Sequence, residues 1–334
     1  MKQTPFTKLA LGIATIFALT SCAPQFHPGG DRSTKPVLQN QALATADMAI
    51  LPLRTWPAKQ TPITAVVLAL HGFNDYSKAF EQPAKWWADR GLTVYAYDQR
   101  GFGKAPHTGM WSGAETMAAD LADAVRVIAA KHPETPVFLL GSSMGGAVIL
   151  KTLAKRPGAR PAMIDGVILV GPAVWGPKTM NPVYRTALWL GAHIFPSNQV
   201  SGRGLKIKPS DNIPMLRQLG RDPLIIKSTR LDTLYGLVQL MGDALEGADR
   251  LDRPALVLGA ANDQLVPGHA HRELLDVLQN ERTVATYPDG YHMLLRDLQA
   301  EVVWRDILSW IRDRDMPLPS GQGRKINMRK ATVR

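Results

Sequence analysis

Residues 136–146 read PVFLLGSSMGG: four apolar residues, Val137 to Leu140, run into glycines and a pair of adjacent serines. A short apolar run ended by glycine is the pattern of a strand buried on both faces, and the chain then continues as a helix from near Met144. A serine at the tip of such a strand-to-helix turn sits in a strained backbone conformation. It needs glycine two positions before and two after, because side chains there collide. That spacing separates the two serines. Around Ser143 the flanking residues are Gly141 and Gly145; around Ser142 they are Leu140 and Met144. Ser143 is therefore the candidate nucleophile, and Gly146 permits close packing of the helix on the strand.

The same punctuation recurs on both sides. Short aliphatic runs at Ala65–Leu70, Leu92–Tyr97, Val167–Val170, Ala255–Leu258 and Thr283–Tyr287 each end at Gly, Asp or Pro. Helical patterns at Ser77–Asp89, Ala114–Lys131, Ala147–Lys155 and His269–Leu278 lie between most of them. Alternation of this kind predicts an α/β fold with a mostly parallel sheet covered by helices on both faces. Between about Gly171 and Leu251 the alternation fails. That region reads as helices without strands, including NPVYRTALWLGAHIF from Asn181 to Phe195, and is expected to form a helical cap at about 172–250.

A serine hydroxyl is a weak nucleophile and needs a base, itself oriented by an acid. Of eight histidines, His292 follows the last expected strand, on a loop at the carboxyl edge of the sheet where the serine turn also lies. His27, His107, His132, His193, His269 and His271 fall in end segments, loops, helix ends or the cap. Asp263 follows the strand Ala255–Leu258 and is the candidate acid, with Asp289 second because it lies only three residues from His292 on one turn. The negative oxygen of a tetrahedral intermediate requires two preorganised N–H donors. The backbone of Met144 supplies one, and that of Phe73, after the strand in VVLALHGFND, the other. His71 is read as holding that loop by hydrogen bonds.

These residues, His71-Gly72-Phe73, the stretch YDQRGFG from Tyr97 to Gly103, the turn Gly141–Gly146, Asp263 and His292, resemble the α/β-hydrolases of the monoacylglycerol lipase, lysophospholipase and serine aminopeptidase-like group. The resemblance spans roughly Val66 to Trp310. It implies an α/β-hydrolase fold with the cap inserted after the sixth strand of that fold's usual order, and cleavage of lipid-like carboxylic esters through an acyl-enzyme on Ser143, with Asp263 and His292. Asp98 and Arg100 would be a structural polar pair. Two departures stand out: Ser142 lies where monoacylglycerol lipases carry His, and the cap matches nothing closely. Readings also open are an aminopeptidase or amidase of the same fold, and an idle envelope lipoprotein that binds a ligand.

The ends carry a different signal. MKQTPFTKLALGIATIFALTSCAPQ has two lysines, an apolar run from Leu9 to Leu19 and small residues before Cys22, the layout of a secretory signal. Its ending Leu19-Thr20-Ser21-Cys22 resembles a bacterial lipobox, which makes 1–21 a signal peptide and Cys22 the lipidation site. Cys22 is the single cysteine of the chain, so no disulfide framework exists. Ala23 follows where an inner-membrane retention signal would place Asp, so the expected location is the outer membrane, facing the periplasm. Residues 22–50 read as a tether, 51–316 as the hydrolase domain and 317–334 as a flexible basic tail. The formal charge of +11 falls to about +4 once the signal and the tail are set aside. Nucleic-acid binding finds no support in that balance. No spacing of His, Cys, Asp or Glu fits a metal, Gly101-Phe-Gly103 lacks the third glycine of a dinucleotide loop, and no cofactor is expected.

Overall fold

The computed structural model describes residues 23–155, 163–178, 180–202 and 204–327. The expected signal segment and Cys22 lie outside them, as do residues 328–334 of the expected tail. From the N-terminus the chain forms strands β1 (Val37–Gln39), β2 (Ala42–Ala44), β3 (Ile50–Trp56) and β4 (Ala65–Leu70), then helix α1 (Glu81–Ala88) and β5 (Leu92–Tyr97). Helix α2 (Ala114–Lys131), β6 (Val137–Ser142), α3 (Met144–Leu153) and β7 (Gly166–Val170) come next. The cap comprises α4 (Pro182–Ile194), β8 (Gln199–Val200), α5 (Ile213–Arg221), β9 (Thr229–Arg230) and α6 (Leu231–Gly247). The chain returns to the sheet through β10 (Ala255–Ala260), α7 (Gly268–Val277), β11 (Arg282–Tyr287), α8 (Ala300–Arg312) and β12 (Gly323–Ile326).

Among the described residues ten strands form one sheet in the order β1-β2-β3-β5-β4-β6-β7-β10-β11-β12. From β5 through β11 all neighbours are parallel. Strands β4 and β5 are buried at every position, which is why they read as unbroken apolar runs. Successive residues nevertheless serve opposite faces. Val66, Leu68 and Leu70 enter the core shared with α2, α3 and α6, while Ala65, Val67 and Ala69 enter the core under α1 and α8. The parallel order places the carboxyl ends of β4, β6, β10 and β11 along one edge, and the cap sits between β7 and β10 above it.

Helix starts in the cap reflect local chemistry. Asn181 accepts a hydrogen bond from the Val183 N–H at 2.8 Å, with Pro182 in the first turn of α4. Asn212 does the same for Met215 at 3.2 Å at the start of α5.

Four expectations are corrected. First, the expected tether 22–50 is not free over its described residues 23–50: β1 and β2 extend the sheet as antiparallel strands, at three residues each too short to show in the pattern. Upstream of them, the Gln25 N–H donates to Asp232 at 3.2 Å, His27 N–H to the Trp111 carbonyl at 2.8 Å and Gly29 N–H to Thr116 at 3.0 Å. Second, the tail is ordered at 323–326, where β12 pairs antiparallel with β11. Its lysine, Lys325, meets Glu281 at 3.0 Å and also Asp315, so the basic character that reads as disorder is that of a charged edge strand. Third, the cap is not purely helical, since β8 and β9 form a two-residue antiparallel pair. Fourth, Asp98 and Arg100 do not pair with each other. Asp98 accepts from the Ser77 and Lys104 N–H groups at 3.0 and 2.9 Å, whereas Arg100 contacts Asp120 at 2.7 Å and Asp47 at 2.6 Å.

Candidate active site

Ser143 stands between β6 and α3 with φ 51° and ψ −115°, a conformation that non-glycine residues avoid. Backbone hydrogen bonds hold it there. Its N–H donates to the Val170 carbonyl at 2.9 Å, and its carbonyl accepts from Gly146 at 2.9 Å, Ala173 at 3.0 Å and Ala147 at 3.3 Å. A Cβ on Gly141 would lie 2.5 Å from the Gly146 nitrogen, and one on Gly145 only 2.2 Å from the Leu70 carbonyl oxygen. The glycine spacing is therefore a steric requirement of this turn. Ser142 is the last residue of β6, in register with Val170.

Asp263 and His292 come from the loops after β10 and β11, and the structure brings them together. The His292 Nδ1 lies 2.8 Å from Asp263 Oδ2, both side chains nine-tenths buried. The other carboxylate oxygen of Asp263 accepts from the Leu265 and Val266 N–H groups at 2.8 and 3.0 Å, which fixes its plane. Burial pushes the Asp263 carboxyl up, but the His292 ring and these two N–H groups outweigh it and hold the acid below the usual carboxylate range. Asp263 is thus a fixed anion, and a ring that donates Nδ1–H to it presents Nε2 as the proton acceptor. Asp289 is exposed on the neighbouring turn.

Phe73 follows β4 on a loop held from below by His71. The buried His71 ring places Nδ1 2.8 Å from the Gly72 carbonyl, and Nε2 accepts from the Gln99 N–H at 2.9 Å. Burial lowers its basicity and keeps the ring neutral. Because the Gly72–Phe73 peptide is planar and trans, a carbonyl drawn to His71 turns the Phe73 N–H to the opposite side. Met144 is the first residue of α3, so its N–H has no intrahelical partner.

Ser143, Ser142, Phe73 and His292 line one cavity of about 580 Å³ beneath the cap. Trp175, Met180, Leu188, Leu237, Val238 and Met241 make its wall apolar. Helix α4 lines it with Tyr184 and Leu188, one turn apart, but is largely open to solvent: Tyr184 itself is 64% exposed, and Trp189, Leu190, Ile194 and, just past the helix, Phe195 are 43 to 57% exposed. Helix α6 contributes Leu234, Leu237, Val238 and Met241, a spacing of three, four and seven that marks one helix face in the sequence itself. Three polar residues escaped the sequence reading: Asn74, Asp75 and Arg296 also line the cavity, and the last two form a salt bridge. Among the described residues no group of three or more His, Cys, Asp or Glu could hold a metal ion.

A parallel sheet with a serine on a strained strand-to-helix turn, an Asp–His pair on the next loops of the same edge and a helical cap above define a serine hydrolase of the α/β-hydrolase fold. A family model described as serine aminopeptidase, S33, matches residues 61–299, and the chain belongs to that family. It is 27% identical over 275 residues to a monoacylglycerol lipase of Mycolicibacterium smegmatis, covering 77% of this chain and 90% of that protein. It is 27% identical over 284 residues to the human monoglyceride lipase, covering 81% and 90%. An uncharacterized abhydrolase domain-containing protein of Dictyostelium discoideum is 25% identical over 274 residues, but the match spans only 29% of that longer chain. The fold is shared with a soluble variant of the Saccharomyces cerevisiae monoglyceride lipase solved with a substrate analog, at a TM-score of 0.69 and 21% identity over 87% of this chain and 99% of that one.

Proposed function

We propose that the chain cleaves carboxylic esters of lipid-like acyl groups, such as monoacylglycerols or lysophospholipids, with Ser143 as nucleophile, His292 as general base and Asp263 as the acid that orients it. The observation that carries this reading is the hydrogen bond of Asp263 to His292, a ring that lines the same apolar cavity as Ser143. His292 Nε2 takes the hydroxyl proton as Ser143 Oγ attacks the ester carbonyl. The developing oxyanion is stabilised by the Phe73 and Met144 N–H groups. Collapse expels the alcohol, which leaves with the proton from His292, and an acyl-enzyme remains. Water, deprotonated by the same ring, then releases the fatty acid.

A cavity of this size falls in the range that encloses most of a drug-sized ligand, and its wall suits an acyl chain. Similarity to proteins named monoacylglycerol and monoglyceride lipases supports the same substrate class. An aminopeptidase would need a free acid for the substrate's ammonium group, and the cavity's Asp75 is already engaged by Arg296. Each buried methylene contributes up to about 0.8 kcal/mol, roughly fourfold in kcat/KM. With p-nitrophenyl esters, kcat/KM is expected to climb from acetyl to medium chains, with monoglycerides and lysophospholipids cleaved and aminoacyl amides not. A flat chain-length profile with preference for the amides would reverse the assignment.

The reading extends to location: a lipid on Cys22 holds the enzyme on the outer membrane, facing the periplasm. The bonds of Gln25 to Asp232 and to Arg230, the latter at 3.2 Å, support a particular orientation. Gln25 lies three positions after Cys22, a reach of about 10 Å. The Asp232 N–H donates to the Pro196 carbonyl at 3.2 Å, beside the exposed end of α4 that carries Ile194 and Phe195. A lipid at Cys22 would therefore lie next to that apolar end and turn the cap toward the bilayer. Cell fractionation with labelled fatty acid is expected to find the full chain labelled and in the membrane fraction, and Cys22→Ala unlabelled. Label retained by Cys22→Ala would place the lipid elsewhere.

A further inference from the structure

We propose that Asn74 is a positioning residue that ties the Phe73 oxyanion donor to the seat of the cap, so that the oxyanion hole is complete only while the cap is docked. This rests on the reading of Phe73 and Ser143 given above. Asn74 follows Phe73 directly and holds φ 62°, in the left-handed region. Two hydrogen bonds fix it from the cap side. Its carbonyl accepts from the Ile226 N–H at 3.1 Å, and its Nδ2 lies 2.8 Å from Oγ1 of the buried Thr229 in β9. Two residues on, the Tyr76 hydroxyl donates to Asp222 at the end of α5 at 2.7 Å. Asp75, between them, pairs with Arg296 on the segment that follows His292.

The loop is thus gripped from two sides. Below, His71 holds the Gly72 carbonyl and with it one end of the Phe73 residue. Above, Asp222, Ile226 and Thr229, all in the cap, hold the other end. A backbone N–H contributes to an oxyanion hole only if it is aimed at the oxyanion's position before the charge develops. Lifting the cap removes the upper grip on the Phe73 loop; it also frees the Met293 N–H from the Pro209 carbonyl, 3.0 Å away, but leaves the Asp263–His292 bond and the Ser143 turn, whose own partners lie on the loops of the sheet edge. Among the ties between the cap and the sheet edge, the one at Asn74 adjoins the oxyanion donor itself, so cap docking and transition-state stabilisation are coupled there, and a substrate that seats the cap completes the site that cleaves it.

The test uses the full-length chain and the side-chain bond alone. Asn74→Gly keeps the left-handed backbone accessible and removes the amide. Thr229→Val removes the partner hydroxyl at nearly constant shape, and Thr229→Ser restores it. Both disruptive variants are expected to lower kcat for a short soluble ester about tenfold, a fraction of the loss seen when an oxyanion donor is deleted outright. KM should stay within about twofold, Thr229→Ser should recover wild-type kcat, and the double variant should be no worse than either single one, as expected for partners in one bond. Unchanged kcat with raised KM, or additive losses in the double variant, would overturn the coupling. Ser143→Ala in the same assay separates the two levels. If it retains activity, the underlying site reading fails; if it is inactive while Asn74→Gly and Thr229→Val match the wild type, the coupling alone fails.

Discussion

Ser143→Ala is expected to lower kcat/KM for an ester substrate by about 10⁴-fold or more, while Ser142→Ala retains substantial activity. The two side chains are adjacent, both line the cavity, and differ by a single hydroxyl from their replacements. What separates them is backbone geometry. Ser143 occupies the positive-φ position at the head of α3, with its carbonyl and N–H bound to Gly146, Ala173 and Val170. Ser142 is still a strand residue. Neither substitution adds bulk, so both variants should unfold with the wild type, and a difference in rate reports chemistry. Steady-state kinetics on matched preparations checks this; comparable activity in Ser143→Ala and the wild type would remove the nucleophile from the mechanism.

The largest expected effect on stability belongs to Arg100→Ala. The Arg100 side chain is 8% exposed and bridges Asp120, through Nε at 2.7 Å and Nη2 at 2.8 Å, to Asp47 at 2.6 Å. Removing it leaves two buried carboxylates without their principal cation, a change that costs about 3 to 5 kcal/mol. Burial pushes the Asp47 carboxyl up, but hydrogen bonds from Arg100 and Thr45 and the Arg100 charge dominate and hold it far below the usual range. The sign comes from linkage. A depressed folded-state value stabilises above the unfolded value, about 3.9, and that contribution is lost as pH falls through the folded value. The gap between wild type and Arg100→Ala in urea unfolding should therefore be widest near neutrality and close in strong acid. Arg100→Lys should fall between them, because an ammonium cannot span both partners with a planar fork. A gap of less than about 0.5 kcal/mol at neutral pH, the scale of an ordinary surface substitution, would mean that Arg100 does not hold the two carboxylates.

The network also explains what was legible in the sequence and what was not. Interior strands announce themselves because both of their faces are dry: Ala65–Leu70 and Leu92–Tyr97 match the observed β4 and β5 residue for residue. The Ser143 turn is legible for a steric reason, since only glycine fits at 141 and 145. His292 and Asp263 are legible from chain order, each on the loop after its strand. The edges were hidden. Strands β1, β2 and β12 are only three or four residues long, and β12, with its Arg324 and Lys325, is held by partners distant in sequence such as Glu281, which no local pattern records. Arg32 behaves likewise: it lies in a stretch that reads as linker, yet bonds Asp123 ninety-one residues away. The polar residues of the cavity escaped for the same reason, since Asn74, Asp75 and Arg296 acquire their meaning only from partners across the fold.

If the Asp263–His292 pair activates one hydroxyl, it is that of Ser143. Treatment of the purified chain with a fluorophosphonate, and then mass spectrometry of its peptides, tests this most directly. A single adduct per chain is expected, on Ser143, that disappears in Ser143→Ala and forms far more slowly in His292→Ala. An adduct on Ser142, or labelling that proceeds at the wild-type rate without His292, would contradict it.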